Sequence, residues 1–319
     1  MRILLTGSSG WLGRFLAPSL RCAGHTVIGL DVAPGADTTT IGSVARKADV
    51  DRVFAEYAIE AVVHAGGLHK PDIVRFPPHA FIDVNVTGTL NLLDAAIAAG
   101  HDRFVFTSTT SLMISQDIRE ERQSAATWLD EDYAPLAPRN IYGVTKLAAE
   151  HLCRLHHLNH GLNCIVLRTA RFFPENDDTL VDLPGENLKA NEFLNRRLTV
   201  EDAARAHIAA LERAPFVKFG VFIVCAPSPF SRADAMALKL DAPSVINREF
   251  PDAAKLFAQK GWQLPASISR VYDARRARTQ LGFECKTSFG SILEALRCGR
   301  DLPFTHDPAF MSPVERAQT

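Results

Sequence analysis

The feature that most constrains how this chain can fold is a glycine-rich turn close to its first residue. Residues 3–5 (Ile-Leu-Leu) form a short apolar run, as expected of a parallel strand buried on both faces. From Leu12 onward apolar residues recur at helical spacing, so a helix opens at about Gly10. The connecting segment Thr6-Gly-Ser-Ser-Gly-Trp-Leu-Gly13 has the spacing Gly-x-x-Gly-x-x-Gly. Such a turn leaves backbone N–H groups at a helix N-terminus, where they and the helix dipole can bind a diphosphate.

An acidic residue after the second predicted strand supports this interpretation. The run Thr26–Leu30 is typical of a strand and is followed directly by Asp31. A carboxylate at this distance from the glycines suits the two hydroxyls of an adenosine ribose and repels a 2′-phosphate. No arginine follows at Val32 or Ala33, so NAD is the predicted cofactor rather than NADP. The alternative is a turn whose glycines serve only tight packing.

Composition excludes several classes of partner. The 319 residues are 47% hydrophobic, and 35 basic residues balance 36 acidic ones, so no net field attracts nucleic acid or an anionic membrane. The six cysteines never form a C-x-x-C pair, which favours reduced thiols and no metal site. We see no secretory leader before the first strand and no apolar run that could span a bilayer. The expected location is cytoplasmic.

Strands and helices alternate through the first two-thirds of the chain, which predicts a parallel sheet with helices on both faces. We expect an α/β fold: a doubly wound, parallel-sheet Rossmann fold with a smaller, discontinuous C-terminal substrate lobe. Residues 172–197 break the pattern and are predicted to be loop. The predicted NAD-binding domain is 1–171 plus 199–226, the substrate lobe is 172–198 plus 227–302, and 303–319 form a tail with little to pack against. The predicted strands are Arg2–Thr6, Thr26–Leu30, Ala61–His64, Arg103–Thr107, Cys164–Arg168 and Val221–Cys225, and the main predicted helices are Trp11–Ala23, Val50–Tyr57, Ala80–Ala99, Ile141–Asn159 and Val200–Arg213.

A tyrosine and a lysine four residues apart are the strongest catalytic candidates. Tyr142 and Lys146 fall on one face of a predicted helix. A nearby cation favours phenolate over phenol, which would make the tyrosine a useful proton acceptor. The hydroxyls of residues 108–110 (Ser-Thr-Thr) follow a predicted strand at the same edge of the sheet and could donate to the same substrate oxygen. The alternative is an incidental surface pair.

The order of these motifs resembles the extended short-chain dehydrogenase/reductases, the NAD-dependent epimerase/dehydratase group. The resemblance runs from about Met1 to Arg300. It includes the glycine loop, the segments Val62-Val-His-Ala-Gly66, Asn85-Val-Thr-Gly-Thr-Leu-Asn91 and Phe106-Thr-Ser-Thr109, and the Tyr142-Gly-Val-Thr-Lys146 motif. A late segment, residues 272–283, is similar to the substrate lobe of that family.

The resemblance implies a set of site residues. Tyr142 would take a proton from a carbinol, Lys146 would hold the nicotinamide ribose and lower the tyrosine pKa, and Thr109 would steady the oxyanion. It also implies a homodimer formed by the helices 80–99 and 141–159. The implied cofactor contacts are Gly7, Ser9, Gly10, Trp11, Leu12, Gly13, Asp31, Ser43, Val44, His64, Ala65, Gly66, Asn85, Thr107, Tyr142, Lys146, Arg168 and Ala170. The implied substrate contacts are Leu68, His69, Thr109, Thr110, Ser111, Tyr142, Arg171, Phe172 and Arg197.

Departures from the family pattern reduce the range of reactions and substrates that the resemblance implies. Thr110 and Ser111 stand where sugar 4,6-dehydratases carry an acid pair, which argues against dehydration. Arg171 replaces a family asparagine, so a standard nucleotide-sugar contact is in question there. The segment 113–134 is longer than usual and either caps the pocket or lies on the surface.

Substrate and outcome stay open at this point. A small carbohydrate is expected, and an anionic one is possible because cations (Arg168, Arg171, Lys189, Arg196, Arg197) cluster in one stretch, although acidic residues (Glu175, Asp177, Asp178, Asp182, Glu186, Glu192) balance them. The favoured function is an NAD-dependent oxidoreductase acting on a secondary hydroxyl of a sugar or nucleotide sugar, as an epimerase or a dehydrogenase. The alternatives are a uronate or aldose dehydrogenase that releases NADH, a reductase of hydrophobic alcohols, and a non-catalytic NAD-binding sensor.

Overall fold

A computed structural model describes residues 1–176 and 183–312 of the chain. The described strands are β1 (Arg2–Thr6), β2 (Thr26–Asp31), β3 (Thr40–Ile41), β4 (Ala61–His64), β5 (Phe104–Thr109), β6 (Thr127–Leu129), β7 (Cys164–Thr169), β8 (Phe219–Val224) and β9 (Arg270–Tyr272). The described α-helices are α1 (Trp11–Cys22), α2 (Lys47–Glu56), α3 (Pro78–Phe81), α4 (Gly88–Ala98), α5 (Gln116–Arg119), α6 (Ile141–His160), α7 (Gly185–Glu192), α8 (Val200–Val217), α9 (Ala235–Leu240), α10 (Ala242–Glu249), α11 (Ala253–Gln259) and α12 (Phe289–Arg297).

Seven of these strands form one parallel sheet in the order β3-β2-β1-β4-β5-β7-β8. This is the doubly wound Rossmann arrangement, so the predicted fold class is confirmed. The sequence order reverses beside β1, because β2 lies on one side of it and β4 on the other. Parallel α/β sheets bind ligands at such a switch point, beyond the carboxyl ends of the strands.

Helices cover both faces of the sheet, which explains the near-continuous apolar strands. Along β1, Ile3 and Leu5 pack into the core beneath α1 and α8, while Leu4 packs into the core beneath α2, α4 and α6. All three side chains are fully buried. The alternation follows from the two-residue period of a strand.

Helix α6 is fixed at both ends by local chemistry. The Asn140 side chain accepts a hydrogen bond from the Gly143 backbone N–H at 2.9 Å, which caps the first turn. Gly161 ends the helix in the left-handed conformation with φ of 71°. The two ends hold Tyr142 and Lys146 in the first two turns, close to the carboxyl end of β5.

The predicted helix over residues 80–99 is divided into three parts. Helix α3 leads into a π-helical turn, Ile82–Thr87, before α4 begins at Gly88. Such turns are frequent at functional sites, because they re-aim one side chain without ending the helix. The residue that this turn buries is Asn85.

The region predicted to be loop contains helix α7, so that prediction is wrong for residues 185–192. Its polar side chains are buried by tertiary hydrogen bonds. Asn187 and Asn191 each donate to the carbonyl oxygen of Gln263 at 2.9 Å. Hydrophobic periodicity cannot reveal a helix whose buried face is polar. Asp177, Asp178 and Asp182 of the acidic stretch lie outside the described residues.

A second, smaller core lies beyond the main sheet. Apolar side chains of α7, α9, α10, α11 and α12 pack together there, and β6 pairs with β9 in parallel beside them. Strand β6 comes from the long segment 113–134, which therefore contributes to this core. We keep the predicted division into residues 1–171 plus 199–226 and 172–198 plus 227–302 as a proposal.

The tail also differs from expectation, because residues 303–312 do pack. The Phe304 ring stacks on Phe193 with 5.5 Å between centroids, and the Phe310 ring meets Trp11 edge-on at 5.0 Å. These aromatic pairs join the tail to residues far away in the sequence, so the tail sequence alone does not reveal them. Across residues 1–176 and 183–312, no helix combines the length and the apolar character that crossing a bilayer requires.

Candidate active site

The glycine loop forms the turn that its sequence predicts. Gly7 has a φ of +74°, and a Cβ there would lie 2.7 Å from the Cα of Gly66. A Cβ on Gly13 would lie 2.1 Å from the carbonyl oxygen of Gly7. Both contacts are too short for any side chain, so glycine is required on steric grounds. These glycines let the turn pack closely on the protein's own backbone, and Gly7, Gly10 and Gly13 line a cavity at the N-terminus of α1, where a ligand can approach.

Asp31 lies at the end of β2 beside that turn. Its carboxylate accepts hydrogen bonds from the backbone N–H of Ser9 at 2.9 Å and of Ala33 at 3.0 Å. Burial raises the pKa of Asp31, and these backbone N–H groups act in the opposite direction. The Val32 backbone N–H and the Ser9 hydroxyl also act on this carboxylate, so ribose hydroxyls would share its oxygens with protein donors.

One cavity of 1120 Å³ brings most of the predicted site residues together. Single small-molecule sites usually measure roughly 300–1,000 Å³, so this one has room for a dinucleotide and a second molecule. The predicted residues that line it are Gly7, Gly10, Trp11, Leu12, Gly13, Asp31, Ser43, Val44, Ala65, Gly66, Leu68, His69, Thr107, Thr109, Thr110, Ser111, Tyr142, Lys146, Ala170, Arg171 and Phe172. The predicted residues outside its lining are Ser9, His64, Asn85, Arg168 and Arg197.

Three of those five support the cavity wall from behind. The Ser9 hydroxyl donates to the Ala33 carbonyl oxygen at 2.7 Å. His64 lies between the hydroxyls of Thr6, at 2.7 Å from Nδ1, and Thr89, at 3.1 Å from Nε2. The Asn85 amide exchanges two hydrogen bonds with the backbone of Leu68, at 2.9 and 3.0 Å. These side chains are buried and orient the turns that face the cavity.

The two arginines are occupied by buried ion pairs. Arg168 binds the Glu150 carboxylate with both Nε and Nη2, the shortest contact being 2.7 Å. Arg197 pairs with Glu192 at 2.7 Å and donates to the Phe173 carbonyl oxygen. A buried arginine needs a carboxylate partner. Each of these arginines therefore holds the fold together without lining the cavity itself.

The hydroxyls and the ammonium of the predicted catalytic group meet at the carboxyl end of β5. Burial raises the pKa of Tyr142 to about 12, and a hydrogen bond with Thr109 acts in the opposite direction. Burial lowers the pKa of Lys146 to about 8. The Lys146 ammonium donates to the Thr107 carbonyl oxygen at 2.9 Å. Burial is the largest effect on the Tyr142 pKa, and Lys146 is not among the groups that shift it. The lowering of this pKa by Lys146 stays a prediction.

Several cavity residues were not predicted. Arg270 on β9 is only 8% exposed and lines the cavity, and its Nε has no hydrogen-bond partner among the described residues. Arg119 and Arg139 line the cavity too, and Arg119 contributes to a lowered pKa of Arg139. On the acidic side, burial raises the pKa of the cavity-lining Glu175. The sequence around Arg270 is a short apolar run, Val271 and Tyr272, which indicates a strand but not a cavity residue.

The cavity fits a dinucleotide on grounds of shape and charge. A Cβ-free turn at the N-terminus of α1 suits the diphosphate, and Asp31 suits an unphosphorylated ribose. Lys146 and Tyr142 lie in the same cavity, where the nicotinamide half would be placed. NAD would therefore be held by the glycine loop, Asp31 and Lys146.

Comparison with known proteins agrees with this geometry. Residues 3–186 match the family described as the NAD dependent epimerase/dehydratase family. The chain is 33% identical to GDP-6-deoxy-D-mannose reductase of Pseudomonas aeruginosa, over 85% of this chain and 90% of the relative. It is 30% identical to UDP-glucose 4-epimerase of Azospirillum brasilense, over 52% of this chain and 48% of the relative. The matches therefore span about half the length of the first curated relatives.

A solved short-chain dehydrogenase/reductase from Agrobacterium tumefaciens, with bound NAD, shares the fold. Its TM-score is 0.64 at 24% identity, and the match covers 94% of this chain and 98% of that one. The NAD-dependence predicted from Asp31 and the glycine loop is confirmed for the family as a whole. On the family match and on the relative that it covers almost completely, this chain belongs to the NAD-dependent epimerase/dehydratase family of extended short-chain dehydrogenase/reductases.

Proposed function

We propose that this protein is an NAD-dependent oxidoreductase that acts on a secondary hydroxyl of a nucleotide sugar, with epimerisation as its net reaction. One observation carries the proposal. The Tyr142 and Thr109 hydroxyls and the Lys146 ammonium lie in the same cavity as the glycine loop and Asp31. A proton acceptor, an oxyanion donor and a dinucleotide site are thus combined in one place.

In this proposal the protein residues remove the proton of the substrate hydroxyl and orient the substrate oxygen. The Tyr142 oxygen accepts the hydroxyl proton of the substrate as a phenolate, and the charges of Lys146 and of bound NAD would lower its pKa from about 12 to allow this. Thr109 donates a hydrogen bond to the same substrate oxygen as charge develops on it. Lys146 supplies positive charge and holds the ribose of the cofactor. NAD, when bound, supplies the acceptor for the hydride that leaves the carbinol carbon. Burial of the group excludes water from the reacting atoms.

Substrate charge is the second element of the proposal. Arg270 is buried against the cavity and its Nε has no hydrogen-bond partner among the described residues, although a Tyr272 hydrogen bond and the charge of Glu192 compensate part of its burial. Arg119 and Arg139 line the same cavity. A buried cation that is only partly compensated is costly, and a ligand anion would lower that cost. The diphosphate of a nucleotide sugar would do so, which agrees with the names of the relatives. A sugar carboxylate would do so equally, so a uronate dehydrogenase is the second candidate.

The experiment incubates purified protein with NAD and either UDP-sugars, GDP-sugars or free uronates. Isomer exchange without free NADH, followed by NMR, supports the epimerase. Accumulation of NADH at 340 nm with a uronate supports the second candidate instead. Tyr142→Phe should abolish turnover in either case, whereas Tyr57→Phe, which removes a hydroxyl outside the cavity, should not. Turnover that survives Tyr142→Phe contradicts the assignment of the proton acceptor.

We also propose a homodimer that forms through the helices around α4 and α6. The exposed apolar residues of this region include Ile82, Val144, Leu155 and Leu158, with exposures of 48% to 66%. Exposed apolar residues of this kind on neighbouring helices favour a protein partner. Light scattering coupled to size-exclusion chromatography should give twice the chain mass, and Leu158→Glu should reduce it. The cytoplasmic location stays a prediction.

A further inference from the structure

The last described residues of the chain run along the cavity instead of leaving the molecule. We call residues 303–312 the C-terminal strap. Pro308, Phe310, Met311 and Ser312 of this strap line the same cavity as Gly10, Asp31 and Tyr142. This placement was unexpected from the sequence, and the catalytic group described above does not use it.

One end of the strap is anchored on the segment that follows β7 and on α7. The Asp307 backbone N–H donates to the Pro174 carbonyl oxygen at 2.9 Å. The Lys189 ammonium lies 2.8 Å from the His306 Nδ1 and donates to the same Pro174 carbonyl. Pro174 follows Phe172 and Phe173, both of which line the cavity. This end of the strap is thus fixed beside the substrate half of the site.

The other end of the strap packs on the start of α1, directly after the glycine loop. The Phe310 ring meets the Trp11 ring at 5.0 Å, and the Arg14 guanidinium lies 5.3 Å from Trp11 and 5.5 Å from Phe310. The Trp11 Nε1 donates to the Phe172 carbonyl oxygen at 3.2 Å. Trp11 is the first residue of α1, directly after Gly10, so Phe310 packs beside the N-terminus of α1, next to the turn that is proposed to bind the diphosphate.

Among the described residues, few backbone hydrogen bonds hold the strap to the fold. The Asp307 backbone N–H bonds to the Pro174 carbonyl oxygen, and Ser312 has a further contact. Its other backbone bond, from Phe310 to the Asp307 carbonyl, is internal. Its other attachments include the Lys189–His306 contact and the ring contacts of Phe304 and Phe310. Segments with few backbone hydrogen bonds to the fold open at low free-energy cost.

From this arrangement we propose that the C-terminal strap closes over the dinucleotide and slows its release. Trp11 and Phe310 touch each other and both line the cavity beside the glycine loop, so the strap and the proposed dinucleotide site share one wall. Retention suits an epimerase, which must return hydride from the same cofactor that accepted it. The inference rests on the proposed dinucleotide site and gives a structural reason for a net reaction without free NADH.

The test measures NADH release in the absence of any sugar, so it does not depend on the proposed reaction. The protein is loaded with NADH and mixed rapidly with excess NAD while NADH fluorescence is followed. We expect a chain ending at Leu302, and the Phe310→Ala variant of the full chain, to release NADH roughly tenfold faster, because contact mutations act mainly on dissociation rates. The matched controls are a chain ending at Ser312, which keeps the strap, and Phe216→Ala, which removes an exposed ring on α8.

The outcomes separate the alternatives. Faster release in both strap variants and unchanged release in both controls supports the proposal. Unchanged release from Phe310→Ala contradicts it, whether or not the shortened chain folds. Slower release or tighter NADH binding after strap removal would mean that the strap obstructs the site, and would also overturn it. If no sugar is ever turned over, the proposed function fails while this measurement still stands.

Discussion

The Lys146 ammonium is bound to the carbonyl oxygen of Thr107 at 2.9 Å, at the carboxyl end of β5. It also lies 4.6 Å from the centroid of the Phe106 ring. Both contacts favour the charged amine, yet the side chain is buried, and burial is the larger effect on its pKa. The charge of this lysine is therefore sensitive to pH in a range where an ordinary lysine is fully protonated.

This sensitivity predicts an alkaline limit to activity. Burial lowers the pKa of Lys146 from 10.5 to about 8, so the ammonium is half lost near pH 8. If the charged form holds the ribose, kcat should fall as pH rises through about 8. Lys146→Arg keeps its charge at every accessible pH, so its kcat, although lower, should not decrease as pH rises through about 8. Rates measured from pH 6 to 10.5 test this, and the same decrease of kcat in both proteins would contradict the role of Lys146.

A second prediction concerns the tyrosine in the protein without cofactor. Burial raises the pKa of Tyr142 to about 12, so its phenol should stay protonated well above pH 10. Absorbance at 295 nm, which reports tyrosinate, should therefore give the same titration below pH 11 for the protein and for Tyr142→Phe. A difference of one tyrosinate between them near pH 8 would show that Lys146 overcomes the desolvation. Adding NAD to both proteins then tests whether the bound cofactor lowers this pKa.

The parts of the site that the sequence could predict depend on local spacing. The glycine turn, Asp31 at the end of β2 and the Tyr142–Lys146 pair on α6 each lie within one strand–turn–helix unit or one helix. Short-range sterics and helical periodicity fix such positions. Parallel pairing then brings the ends of β1, β2, β4 and β5 to one edge of the sheet, so the common site followed from the alternation alone.

The missed parts depend on contacts between distant segments. Arg270 reaches the cavity because β9 pairs with β6, about 140 residues earlier in the chain. Helix α7 buries asparagines whose side chains bond to the backbone of Gln263, a residue far along the chain. Arg168 and Arg197 resemble ligand-binding cations in the sequence, but Glu150 and Glu192 neutralise them inside the fold. Burial and charge balance of this kind are set by the tertiary structure, which no local pattern encodes.

Cofactor preference gives a third prediction. The Asp31 carboxylate lines the cavity and is held by the Ser9 and Ala33 backbone N–H groups. Asp31→Asn removes its charge at almost constant volume, so the repulsion of a 2′-phosphate should decrease. We expect NAD to bind roughly tenfold more weakly, about 1.4 kcal/mol, and NADP to bind more tightly than before. Calorimetric titration of both dinucleotides measures this.

The control for that substitution is Asp37→Asn, which changes an acidic side chain outside the cavity lining. It should leave the ratio of the NAD and NADP dissociation constants unchanged. If Asp31→Asn also leaves this ratio unchanged, the carboxylate does not face the ribose. The structural role of Asp31 in the glycine loop would then be its only role.

The fourth prediction concerns a buried network that joins α6 to β5 and β7. Glu150, two turns after Tyr142 on α6, accepts hydrogen bonds from Arg168 on β7 and from the Ser108 hydroxyl on β5. Both charged side chains are only 5% exposed. Glu150→Ala leaves the Arg168 guanidinium buried without its carboxylate, which should lower the free energy of unfolding by about 3–5 kcal/mol. Urea denaturation followed by circular dichroism measures the change.

A double variant separates charge from packing in this network. Glu150→Leu with Arg168→Met removes both charges and retains apolar volume, so it should recover most of the stability lost in Glu150→Ala, as buried ion pairs are often no more stabilising than an apolar replacement. Its activity should stay reduced even so, since the Ser108 hydroxyl loses its acceptor next to Thr109 and α6 loses its polar tie to β5 and β7. Full activity together with full stability in the double variant would mean that the pair has no part in positioning Tyr142 and Lys146. Recovered stability with lowered kcat and an unchanged NAD dissociation constant would instead assign the network to orienting the catalytic helix.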